Sequence, residues 1–74
     1  MILRPDDLAN EWQLIWGVAE TQETAEAWHR AAVDLSTVQR LLYRMEAPRA
    51  YIAAAGELYW LAMTREMMAR EETV

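Results

Sequence analysis

From Ala50 to Met63 the chain runs AYIAAAGELYWLAM, and Gly56 and Glu57 are the only breaks in an otherwise apolar stretch. Wound into a helix, it has no polar side. Ile52, Tyr59 and Met63 fall in one direction, Leu58, Leu61 and Met68 in another, Trp60 and Met67 in a third. A helix apolar nearly all round is normally buried nearly all round. A lone three-helix unit gives each helix only two neighbours, so part of this surface is left for another chain. The expected cover is a second copy, closed by a two-fold axis, with Ile52, Ala55, Tyr59, Trp60 and Met63 at the dimer interface. The thin run Ala53-Ala54-Ala55-Gly56 lets another helix come close.

The rest of the chain is consistent with that need for company. It has 74 residues, 54% of them hydrophobic, and no Cys. One small domain is expected, with neither a disulfide framework nor a Cys-based zinc site. At this length a lone core seldom supplies more than about 3–5 kcal/mol. The run from Ala50 to Leu61 is too short to span a membrane, and the start Met1-Ile2-Leu3-Arg4-Pro5 lacks the charged and apolar regions of a signal peptide. A soluble, cytoplasmic protein is expected.

The fold class read from the pattern is all-α, with helices at about 5–20, 23–46 and 48–70. Pro5 suits a first helical position, and Asp6 and Asp7 favour the positive end of the helix dipole. Leu8, Trp12, Ile15 and Ala19 form one apolar stripe. Thr21 or Thr24 caps the second helix, which is cleanly amphipathic. Trp28, Ala31, Ala32, Leu35, Val38, Leu42 and Met45 share one arc, and Glu26, His29, Arg30, Ser36, Thr37, Arg40 and Arg44 the opposite one. Ala47-Pro48 ends it, and the short link makes the second and third helices antiparallel neighbours.

Charge narrows the function classes. The net charge is −5, and that surplus lies within residues 1–26, where six acids face Arg4 alone. A negative chain is a poor general ligand for nucleic acid, which needs a positive field. His29 is the one histidine, with Glu26 a turn earlier, and no Cys nucleophile or phosphate-cradling glycine loop accompanies it. A surface histidine is the stronger reading than an acid/base pair, and no metal-ligand set or cofactor motif is present.

The features that favour recognition are aromatic, thioether and guanidinium groups. Trp16 and Trp60 lie off the middle of their stripes and serve either as core or as binding anchors. Met63, Met67 and Met68 form a flexible cluster that suits an adaptable interface or plain core filling. Arg40 and Arg44, one turn apart, can grip carboxylates on a partner, although a solvated face paired with nearby acids explains them as well. Trp16, Arg40, Tyr43, Arg44, Tyr51 and Met67 are therefore the expected partner-binding residues.

Short, free of Lys, acidic and without cofactor signals, the chain is similar in general character to small helical phage-encoded accessory proteins. That group includes anti-activators of quorum-sensing regulators and some anti-CRISPR proteins. The resemblance implies a stoichiometric inhibitor that occludes a surface of a host protein. It reaches the character of the whole chain and carries over no individual residue. The leading expectation is thus a non-enzymatic protein-binding module. The alternatives are an assembly chaperone or docking subunit for a structural protein, and a small helix-turn-helix DNA-binding regulator with the Arg face in the major groove. Wide turns and negative charge oppose the last.

Overall fold

The computed structural model describes residues 4–72, which form three helices: α1 (Pro5–Gln22), α2 (Ala25–Arg44) and α3 (Arg49–Glu72). The start Met1-Ile2-Leu3, with part of the signal-peptide reading, lies outside the described residues. No described residue is in a strand, and no helix is long and apolar enough to cross a membrane.

The helix ends follow from local chemistry. Pro5 opens α1, and the backbone N–H of Arg4 donates to Asp7 Oδ2 at 3.0 Å. Thr24, not Thr21, caps α2 by accepting from the Ala27 N–H at 3.1 Å. Thr21 still lies in α1, where its hydroxyl bonds the Gly17 carbonyl. The ends of α1 and α2 turn through left-handed residues, Glu23 (φ 53°) and Glu46 (φ 56°). After α2, Glu46 N–H bonds Tyr43 O and Ala47 N–H bonds Leu42 O, the paired bonds of a Schellman ending. The Pro48 carbonyl then accepts from Tyr51 and Ile52 and starts α3.

α2 and α3 pack as an antiparallel hairpin, and α1 leans on α2 more than on α3. The core falls into two apolar clusters. Ala19, Trp28, Ala31, Ala32, Leu35 and Ala62 form one. Leu8, Val38, Leu42, Ala47 and Ala55 form the other. Leu8 thus sits by the end of α2 and Ala19 by its start, so α1 runs parallel to α3, and Trp12 and Ile15 touch both clusters. Among the described residues no polar side chain is buried.

Among the described residues, six of the eleven buried side chains are alanines. Ala31 and Ala32 of α2 and Ala55 and Ala62 of α3 fill the inner faces, so α3 turns its smallest residues inward. At Gly56 a Cβ would lie 2.7 Å from Gln39 Nε2 of α2. Ala55 and Gly56 of the thin run thus receive a helix of the same chain.

Candidate protein-docking surface

The inward alanines of α3 leave its large residues outside. Trp60 is 65% exposed and Met67 63%, and Leu61 and Met68 are about half exposed. In 100° steps Trp60 and Met67 lie together on one side of the outer face, and Leu61 and Met68 on the other. Thr64 lies between them, with Glu57 and Glu71 towards the ends. The Trp60 ring meets the edge of Tyr59 at 5.3 Å between centroids, which joins this face to the flank of the hairpin.

On that flank, away from α1, α2 and α3 border an open groove of about 200 Å³. Ala32, Val33, Tyr59 and Met63 line it apolarly, and His29, Ser36, Arg40 and Glu66 supply its polar atoms. Tyr43, 74% exposed, stands one turn beyond Arg40 on the same edge of α2, and exposed Arg44 lies beside it. A second open groove, about 220 Å³, lies between α1 and α2, with Leu14, Val18 and Ala27 on its walls and Arg30 and Asp34 at its rim.

The structure sorts the residues singled out in the sequence into three groups. Arg40, Tyr43, Arg44, Trp60 and Met67 are exposed. Ile52, Tyr59 and Met63 are half-buried and pack on the protomer's own core. Ala55, expected at a dimer interface, is fully buried in the α2–α3 core, so it has no surface to offer a second chain. An Arg at Ala55 would disrupt the protomer itself.

Trp16 and Tyr51 are engaged within the chain. The Trp16 ring meets the edge of Trp28 at 4.9 Å, and its indole N–H donates to Glu20 at 3.2 Å. The Tyr51 hydroxyl donates to the Asp6 carboxylate, and its ring lies 6.1 Å from Trp12, clamping α3 to the start of α1. The bond to Asp6 holds the Tyr51 phenol above its usual pKa, because ionising it would place two anions side by side.

Val33, Leu41, Leu14 and Val18 complete the exposed apolar set. Each interrupts the polar side of an amphipathic helix, and that interruption was the available signal.

His29 finds its partner on α3. Its Nδ1 lies 3.1 Å from Glu66 Oε1, whereas the sequence suggested Glu26. Arg70 Nε and Nη2 donate to Glu66 Oε2 at 2.9 and 2.7 Å. Arg70 chiefly, and His29 after it, hold the Glu66 carboxyl below the usual carboxylate range. A carboxylate so stabilised is a weak proton acceptor, so the geometry is that of a polar cluster in which the His29–Glu66 contact joins α2 to α3. Arg65 sits over the Trp28 ring at 5.7 Å, a cation–π contact that covers the core near the α1–α2 turn. Among the described residues no group of three or more His, Asp or Glu side chains is placed to hold a metal ion.

Compared with known proteins, the chain matches no family model, no curated protein and no solved structure at a significant level.

Proposed function

We propose that this chain is a non-enzymatic protein-binding module of the cytoplasm that inhibits a larger regulatory protein by covering one of its surfaces, in the manner of small phage-encoded anti-host proteins. The observation that supports this most is the open groove between α2 and α3, where exposed Val33 lies beside Tyr59 and Met63 and exposed Arg40, Tyr43 and Arg44 stand along one edge. Contiguous exposed apolar surface of this kind marks an interaction site.

The groove flanking α2 and α3 suits an amphipathic helix of the partner, whose apolar side would rest on Val33, Tyr59 and Met63. Carboxylates on that helix would meet Arg40 and Arg44 and set its direction. The outer face of α3 serves a different purpose in this reading, covering itself with a second copy to give a homodimer.

Affinity capture from host lysate tests the binding role, with Tyr43→Ala and Arg40→Ala/Arg44→Ala as controls. All three substituted positions are exposed, so the fold, checked by far-UV circular dichroism, is expected to persist. Recovery of one protein in stoichiometric amount, weakened about tenfold or more by these variants as expected for interface anchors, supports the proposal. Recovery of the chain alone, or equal recovery by the variants, overturns it.

A further inference from the structure

We infer that the outer face of α3 is closed by an antiparallel second copy whose two-fold axis passes beside Trp60. This rests on the reading that α3 carries the homodimer interface, and it specifies the register.

Arg49, Ala53, Trp60, Met67 and Glu71 fall within about 40° of one another around α3. Their spacing is symmetric about Trp60: Ala53 and Met67 are each seven residues away, Arg49 and Glu71 each eleven. A second α3 laid antiparallel about that point sets Trp60 against its own copy and large Met67 against small Ala53. It also sets Glu71 against Arg49, and the symmetry repeats both matches. The contact from residue 49 to 71 runs about 33 Å at 1.5 Å per residue.

Charge separates this register from its rivals. Parallel pairing sets Glu57, Glu71 and Arg49 each against itself. Antiparallel pairing about Thr64 sets Glu57 against Glu71. Both oppose like charges, which is unfavourable in a helix pair. Among the described residues, neither Arg49 nor Glu71 takes part in an ion pair within its own protomer. Both charges are thus available to a second chain, and only a reversed copy about Trp60 makes them complementary.

Sedimentation of the full chain, its charge variants and single-cysteine variants tests the inference. The natural sequence has no Cys, so introduced thiols report without background. Wild type is expected to dimerise at micromolar concentration and Trp60→Glu to be a folded monomer. Arg49→Glu and Glu71→Arg should each weaken the dimer about tenfold, since two copies of the pair turn from attraction to repulsion, and the double swap should restore it. On oxidation Ala53→Cys and Met67→Cys should link only when mixed, since each then faces the other across the axis. A wild-type monomer throughout, or a dimer indifferent to Trp60→Glu, overturns both the register and the α3 interface. A dimer lost in Trp60→Glu but lacking the charge rescue or the mixed cross-link overturns the register alone.

Discussion

Two glycines in this chain sit in helix interiors and answer to different surroundings. At Gly17 an added Cβ meets nothing within 4 Å, so only backbone entropy and helix propensity are at stake. Gly17→Ala should stabilise the fold by about 0.5–1 kcal/mol. At Gly56 the same Cβ would press on Gln39 Nε2, the atom that donates to the Ile52 carbonyl at 3.2 Å. The amide is the free end of a flexible side chain and can swing aside, but it then gives up a hydrogen bond with a net worth of about 0.5–1.5 kcal/mol. Gly56→Ala should therefore leave stability almost unchanged. Urea titration distinguishes the two, with a higher midpoint at unaltered slope for Gly17→Ala alone. A Gly17→Ala variant no more stable than wild type would mean that something covers that side of α1.

At the scale of the element, α1 and α2 were legible because their two sides differ in polarity. Trp28, Leu35, Val38 and Leu42 lie where the amphipathic arc placed them, and helix bounds read from Pro5 and Ala47-Pro48 fall within a few residues of those observed. α3 was legible as a helix but not in its orientation. With apolar residues in every direction, polarity could not choose the inward side. Side-chain volume chose it: Ala62 fits the space beside Ala32 and Leu35 and Ala55 that beside Val38 and Leu42, whereas Trp60 or Leu61 would hold the helices apart. The partner of His29 was out of reach for another reason, since Glu66 is 37 residues away and no local pattern joins them. That cluster makes stability depend on acid. Glu66 has a folded-state pKa below its ordinary value, so its contribution is present at neutral pH. The contribution is lost as pH falls below the usual carboxylate range and through the depressed value. Denaturation midpoints measured between neutral and acid pH should decline over that interval in wild type and decline less in Glu66→Gln. Equal slopes would show that the cluster contributes nothing.

The whole molecule measures 44 × 20 × 14 Å between Cα extremes, with a radius of gyration of 12.8 Å. That exceeds the roughly 11 Å that size scaling gives for a compact chain of this length. The excess is the length of the α2–α3 hairpin, whose outer side has no third layer to cover it. If a second copy supplies that layer, folding and association are linked and stability follows protein concentration. The thermal midpoint of wild type should climb by several degrees over about a hundredfold in concentration, while that of Trp60→Glu should stay constant. A wild-type midpoint insensitive to concentration would count against the linkage.

The alanine-lined seam between α2 and α3 also bears on how such a protein can change over generations. Ala31, Ala32, Ala55 and Ala62 specify how the helices meet, while Arg40, Tyr43 and Arg44 stand exposed along the edge of the neighbouring groove. Substitutions among these three therefore alter what the protein recognises without reopening the problem of how it folds. Recognition and foldability are written in separate positions, and a lineage under pressure to follow a shifting target can revise one while inheriting the other intact.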